Sequence, residues 1–290
     1  MKAMPETISG LLEWAFQALT DKSKAFQSDS PRLDAEILLA HALNKSRTYL
    51  LTWPEKNIEI NRSDTFKTLV EKRCEGQPIA YLTGEWEFWS LPLKVNTGTL
   101  IPRPETELLV ELALKKCSAK NVNVADLGTG SGAIALALAS ERSSWSVLAT
   151  DASAQALEVA RANAETLDLG NIEFLLSNWF SDLPDKQFDL IISNPPYIDE
   201  LDPALETSVI NWEPRQALIS SLNGMADLEI IIDQAKPFLK AGAWLLVEHG
   251  YNQGEEVAQL FQRGGYKQIN TEQDLNGHDR VTCGLWLGQS

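Results

Sequence analysis

The chain has 290 residues, 44% hydrophobic and 22% charged, the proportions of a soluble globular protein long enough for one large or two modest domains. Its net charge of −15 is uneven: residues 1–100 hold 12 basic against 13 acidic side chains, and residues 101–290 hold 13 against 27. So acidic a second half, with no evident basic stripe, disfavours direct binding of long nucleic acid, and the most compact apolar run, Ala133–Ala139, is too short to cross a bilayer.

The first residues, Met-Lys-Ala-Met-Pro-Glu, lack the basic stretch and apolar core of a signal peptide, so a cytoplasmic location is expected. Residues 1–76 have the pattern of short helices. Ile8, Leu11, Leu12, Ala15, Phe16 and Leu19 recur at helical spacing. Ser30 suits an N-cap and Pro31 a first helical position, ahead of the apolar face Leu33, Ile37, Leu38 and Leu43. A third helix is predicted over Ser63–Cys74, stopped by Gly76 and Pro78. Residues 85–95 alternate around Trp86, Phe88, Leu91, Leu93 and Val95, with Pro92 suited to an edge or turn. They predict a β-hairpin linker over 85–100 between a helical domain (1–84) and a second domain (101–290).

From there strands and helices alternate. Strands are predicted over Val122–Leu127, Ser146–Asp151, Ile172–Leu176, Phe188–Ser193, Ala243–Glu248 and Val281–Leu287. Helices are predicted over Leu108–Lys116, Ala133–Ser140, Ala154–Leu167, Ala226–Leu239 and Glu255–Phe261. This βαβ rhythm implies an α/β fold with a mostly parallel sheet covered on both faces. Ligands of such sheets bind beyond the carboxyl ends of the strands, where Gly128, Asp151, Asn178-Trp179 and Asn194 fall. The cysteines Cys74, Cys117 and Cys283 are far apart and the histidines His41, His249 and His278 have no metal-ligand spacing. The expectation is reduced thiols and no metal.

Two stretches carry chemistry. Asp126-Leu-Gly128-Thr129-Gly130-Ser131-Gly132 closes the first strand and opens a helix, and its glycines let backbone approach a ligand without Cβ clashes. With Ala133 it also fits the dinucleotide fingerprint, and Asp151 suits the ribose of either cofactor. Asn194-Pro195-Pro196-Tyr197 follows a buried strand. Proline cannot extend the ladder, so the backbone leaves the sheet as a stiff rim presenting an amide, free carbonyls and a ring. That rim receives a planar group bearing NH2 and has no natural role in hydride transfer. With the acid at the start of the glycine loop, which favours a cationic amino-acid moiety over a pyrophosphate, it tips the reading from a nicotinamide dehydrogenase to S-adenosylmethionine. A rigid turn without function is the alternative for the rim, and core packing the alternative for Trp179.

The glycine loop and Asp151 resemble class I S-adenosylmethionine-dependent methyltransferases, and Asn-Pro-Pro-Tyr resembles those acting on planar nitrogens. Further stretches, Pro78-Ile-Ala-Tyr-Leu-Thr-Gly84, Leu100-Ile-Pro-Arg-Pro-Glu-Thr-Glu107, Glu213-Pro-Arg-Gln-Ala-Leu218 and Glu248-His-Gly250, are together similar to the release-factor glutamine methyltransferases, the PrmC/HemK family. The resemblance covers essentially the whole chain. It implies a Rossmann-like methyltransferase domain with a seven-stranded sheet after a small helical bundle, and methyl transfer to the glutamine of the Gly-Gly-Gln loop of peptide chain release factors. Carried over, Gly128, Thr129, Gly130, Ser131 and Gly132 cradle the methionine part, Asp151 holds the ribose, and Trp179 borders the adenine. Asn194, Pro195, Pro196 and Tyr197 hold the substrate amide, Tyr197 against its flat face, with Asn194 also beside the cofactor. Asn178 stands where similar enzymes often carry Asp. Glu105 and Glu107 are expected to brace the rim or the glycine loop from a helix start, and the loop from Ile198 to Asn211 to shape substrate entry. The rival substrate is an adenine amine of nucleic acid, and a binding module without catalysis is the non-enzymatic rival.

Overall fold

The structure is a computed structural model that describes residues 6–21, 26, 28–202 and 212–288; the far end of the Ile198–Asn211 loop lies outside the described residues. The chain divides into two compact units, with residues 1–85 in the first and most of the remainder in the second.

The first unit is built on helices Ile8–Thr20, Pro31–Leu43, Arg47–Thr52, Ile60–Cys74 and Ile79–Thr83. Thr7 caps the first helix, its hydroxyl accepting from Gly10 N at 3.2 Å. Ser30 makes no such side-chain cap; Pro31 starts the second helix, and Asn44, at φ 51°, ends it in the left-handed conformation asparagine tolerates. The third predicted helix begins at Ile60, because Ser63 is buried and donates to Glu6 instead of capping. Ile8, Leu11, Leu38, Leu39, Phe66 and Val70 close the core. Within it, Arg73 Nε donates to Asp34 at 2.8 Å, a pairing that offsets the cost of burying both charges.

The second unit opens with the hairpin Glu85–Phe88 and Leu91–Lys94, turned by Trp89 and Ser90 at φ 52° and 59°. The hairpin packs into this unit: Phe88 and Leu93 are in its core, and Trp89 N donates to Glu107 Oε1 at 2.8 Å. Its sheet has seven strands: β1 Asn123–Leu127, β2 Ser146–Asp151, β3 Ile172–Leu176, β4 Phe188–Ser193, β5 Leu239–Glu248, β6 Lys267–Gln273 and β7 Asp279–Trp286. The order across the sheet is β6-β7-β5-β4-β1-β2-β3, with β7 antiparallel to both neighbours and the other pairings parallel. Alternate residues serve opposite faces. Val124, Val147, Leu190 and Leu246 pack with helices Glu107–Lys116 and Ala133–Glu141. Ala125, Leu148, Ile191 and Leu245 pack with helices Ala226–Gln234 and Gly254–Arg263. The predicted Ala226–Leu239 helix stops at Gln234, where Pro237 turns the chain through a short 3-10 segment into β5. Cys74, Cys117 and Cys283 are all buried. No helix of the described residues is long and apolar enough to cross a membrane.

The strand order reverses between β1 and β4, and Leu127 is in register with Ser193. Ser193 Oγ donates to Leu127 O at 2.7 Å. The glycine loop and the Asn-Pro-Pro-Tyr segment therefore leave the sheet side by side, at the crevice where such sheets bind ligands.

Candidate active site

A cavity of about 260 Å³ opens at this crevice. Gly128, Gly130, Asp151, Asn178, Trp179, Asn194 and Pro196 line it; Thr129, Ser131, Gly132, Pro195 and Tyr197 do not. Gly128 and Gly130 adopt φ 73° and 58°, the left-handed region where a side chain is strained. A Cβ on Gly128 would stand 3.3 Å from the Trp179 ring. Thr129 and Ser131 are buried beneath the loop: Thr129 Oγ1 donates to Asp126 Oδ2 at 2.6 Å, and Ser131 O accepts from Asn163 Nδ2 at 2.9 Å. Asn163 also exchanges hydrogen bonds with Lys94 N and O, at 2.7 and 3.0 Å, tying the hairpin to the loop.

Asp126 does not reach the cavity. It is fully buried, its Oδ1 has no partner at hydrogen-bond geometry, and burial pushes its pKa up to about 7 against the pull of Thr129 and the Ala135 amide. The acid expected to greet a cationic ligand is instead an internal brace. The carboxylate at the cavity is Asp151, which accepts from Gly130 N at 2.9 Å and Ser153 N at 2.8 Å. Burial raises its pKa, while these amides lower it. Trp179 presents one side to the cavity and packs the other against the core, its Nε1 donating to Asp227 Oδ1 at 3.1 Å.

On the rim, Asn194 Nδ2 donates to Thr106 Oγ1 at 3.1 Å. Asn194 lines the cavity with one of its two N–H groups committed to Thr106, and Oδ1 is left as its acceptor for a ligand. Tyr197 is not among the residues that line this cavity. Its hydroxyl donates to Glu248 Oε1 at 3.1 Å, and it lines a second cleft of about 310 Å³ with Asp199, Leu201, Asp202, Asn223 and Gln253. Burial and the Glu248 charge push its pKa far up, so the phenol stays neutral. Pro196 lines the first cavity and Tyr197 the second, so the peptide between them runs from one to the other. The bracing expected of Glu105 and Glu107 is done on Asn194 by Thr106, whereas Glu107 holds Trp89 N.

Several lining residues carry no site role in the sequence, although Leu100, Pro214 and Gln216 lie in stretches that bear the resemblance. Gly98, Thr99 and Leu100 come from the turn after the hairpin, Pro214 and Gln216 from the Glu-Pro-Arg stretch, and Asp227 from a helix start. The signal for the first was an Asn96-Thr-Gly98 turn, in which Gly98 N donates to Asn96 Oδ1 at 2.8 Å. Among the described residues no group of histidine, cysteine or carboxylate side chains could hold a metal.

Comparison with known proteins agrees with this architecture. Residues 10–84 match the PrmC N-terminal domain and residues 104–217 the methyltransferase small domain. The chain is 47% identical to the release factor glutamine methyltransferase of Aliivibrio fischeri, covering 98% of this chain and 99% of that protein. It is 50% identical to the Vibrio cholerae protein of the same name, covering 96% and 98%. A methyltransferase of Pyrococcus furiosus, 17% identical, shares the fold with a TM-score of 0.52 over 69% of this chain and 90% of its own. With near-complete coverage at such identity, on a sheet ending in a glycine cradle beside Asn-Pro-Pro-Tyr, the chain belongs to the release factor glutamine methyltransferase family.

Proposed function

We propose that this protein transfers a methyl group from S-adenosylmethionine to the side-chain nitrogen of the glutamine in the Gly-Gly-Gln loop of peptide chain release factors, in the cytoplasm where they act. The observation that carries the reading is Asn194: an amide at the cavity whose NH2 end is anchored on Thr106, which leaves its oxygen to accept.

The residues present fit the cofactor. Gly128 and Gly130 offer a cradle without Cβ atoms, Asp151 keeps lone pairs for the ribose hydroxyls, and Trp179 with Asn178 gives an adenine an apolar face and a polar edge. Bound there, S-adenosylmethionine supplies an electrophilic methyl carbon on a sulfonium.

A carboxamide nitrogen is a weak nucleophile, because its lone pair is delocalised into the carbonyl, and no side chain at the rim is a base strong enough to deprotonate it. The rim acts by position and charge. Asn194 Oδ1 and the backbone carbonyl of Pro195, which lies between the lining residues Asn194 and Pro196, each accept one N–H of the glutamine amide, which fixes its plane and favours the positive charge that develops on nitrogen. Fixing the reacting groups in place can lower the barrier by up to about 7–11 kcal/mol. Once the bond has formed the surplus proton is acidic and leaves to water. Tyr197, held by Glu248, borders the second cleft and receives chain flanking the glutamine.

Mass spectrometry of a release factor incubated with S-adenosylmethionine, with and without this protein, tests the reading. One added methyl on the glutamine of Gly-Gly-Gln is expected; methyl on an oligonucleotide adenine instead would overturn it.

A further inference from the structure

We propose that Glu248 is a positioning residue that sets the hydrogen-bond polarity of the substrate rim, acting on Asn194 through the Thr106 hydroxyl and directly on Tyr197. The inference rests on the methyl-transfer reading above.

The placement follows from the sheet. Ser193 is in register with Val247 where β4 and β5 run parallel, so Asn194, the first residue beyond β4, stands level with Glu248, the last residue of β5. Thr106 ends the Pro104–Thr106 turn and is buried, as is Glu248. Three separate stretches of sequence thus meet around one carboxylate. Glu248 Oε1 accepts from Tyr197. Its Oε2 is buried without a partner at hydrogen-bond geometry, and the Thr106 hydroxyl acts on the carboxylate, opposing the effect of burial. Among the described residues no cation forms an ion pair with Glu248.

Thr106 has a single hydroxyl proton. Because its oxygen accepts from Asn194 Nδ2, that proton must go elsewhere. An ionised Glu248 takes it. The direction is then fixed along the line: Asn194 donates to Thr106, Thr106 to Glu248, and Asn194 Oδ1 is left to accept the substrate N–H. A protonated Glu248 reverses this. Its own O–H can donate to Thr106, which turns its proton on Asn194; the amide then flips and sets an NH2 against the NH2 of the substrate. Burial, with a smaller push from Glu105, raises the Glu248 pKa to about 7 against the pull of Thr106, Tyr197 and Arg280. Arg280 is itself paired with Asp274 at 3.3 Å. His249, the next residue, is buried and bonded to Gly250 O and the Thr282 hydroxyl, with its pKa lowered by burial. The switch of polarity therefore falls close to neutrality.

The test measures kcat and KM against pH for methylation of a Gly-Gly-Gln release factor by the full chain, with cofactor affinity by titration. Wild-type kcat should rise with pH along an acid limb centred near the Glu248 value. Glu248→Gln should lower kcat about 10–100-fold, erase that limb, and leave cofactor affinity within about threefold. Thr106→Val should lower kcat in the same way and Thr106→Ser should restore most of it; this pair decides should Glu248→Gln fail to fold. A Glu248→Gln profile parallel to wild type, or an undiminished kcat in Thr106→Val, would overturn the proposal. NMR of the Asn194 side-chain amide, assigned by its loss in Asn194→Ala, gives an answer that needs no turnover. Its shift should titrate with Glu248 in wild type and be flat in Glu248→Gln; a flat shift in wild type sinks the relay. Absence of glutamine methylation by wild type would defeat the functional reading instead, and the NMR titration would still decide the relay.

Discussion

Arg103 Nη2 stands 2.7 Å from Glu213 Oε1, and the Glu213 side chain is sealed from solvent while a third of the arginine is exposed. The pair joins two walls of the cavity, since Leu100 precedes one partner and Pro214 follows the other. Glu213 Oε2 has no other partner. Removing the guanidinium strands a buried charge, which costs far more than the pair contributes when intact. Arg103→Ala should therefore lower unfolding stability by about 2–4 kcal/mol. Adding Glu213→Gln should recover at least half, because the stranded charge is then gone. Urea denaturation of the single and double variants checks this; additive losses would show that the two side chains act independently.

Asn194 separates the chemistry from cofactor binding. Asn194→Ala removes one acceptor of the substrate N–H and leaves Gly128, Gly130 and Asp151 in place. Single-turnover methylation should slow by about 10²–10³-fold, the usual cost of losing one preorganised hydrogen-bonding group. Cofactor affinity by calorimetry should change several-fold at most. An equal loss in both measurements would mean that Asn194 holds the cofactor and not the glutamine amide.

Two left-handed glycines make contrasting demands. Gly224, at φ 82°, would place a Cβ 2.1 Å from Tyr197 O and 2.8 Å from Gln253 Nε2. Gln253 is buried and donates to Tyr197 O and Asn223 O while accepting from Gly250 N, so neither neighbour can retreat. Gly130, at φ 58°, has nothing within 4 Å of its Cβ position. Gly224→Ala should cost more than about 2 kcal/mol and slow methylation by displacing the rim. Gly130→Ala should cost only about 1–2 kcal/mol of backbone strain, its larger effect being weaker cofactor binding. Thermal unfolding and cofactor titration separate the two; equal stability losses would discount the Tyr197 clash.

The sheet was legible because its strands are short apolar runs ended by turn residues. Ser146–Asp151, Ile172–Leu176 and Phe188–Ser193 begin and end where the residues predict. Strand β6 was not legible: Lys-Gln-Ile-Asn-Thr-Glu-Gln is polar on both faces, as an edge strand can be, and only pairing with β7 shows it. The resemblance implied a seventh strand that periodicity did not locate. At the site, motif residues were legible as positions but not as directions. Nothing in Asp-x-Gly-x-Gly-x-Gly tells that the leading acid turns inward to Thr129, or that Tyr197 points its hydroxyl at Glu248. Those depend on which strand ends lie side by side, a consequence of sheet order that no local pattern encodes.

The inward turn of Asp126 makes stability depend on pH in a definite sense. Burial raises its pKa from 3.8 to about 7, so the folded chain binds this proton more tightly than the unfolded chain. Its contribution is fully present below the unfolded value of 3.8 and is lost as pH rises through about 7. Glu248 behaves in the same sense, from 4.5 to about 7. The lowered pKa values of Glu6 and Asp274 act in the opposite sense at more acid pH. Asp126→Asn removes one of these contributions and leaves the others common to both proteins. The variant keeps an acceptor for Thr129 but sets an NH2 where Oδ1 has no partner, a pH-independent cost of about 1–3 kcal/mol. It should therefore be the less stable protein near pH 4.5 and gain on wild type steadily toward pH 8. With about 1.4 kcal/mol for each unit of pKa, the relative gain should be on the order of 2–4 kcal/mol. Denaturant unfolding of the cofactor-free proteins across that range reads it directly. A stability difference constant with pH would mean that Asp126 is not protonated in the folded chain and that its charge is compensated where it lies.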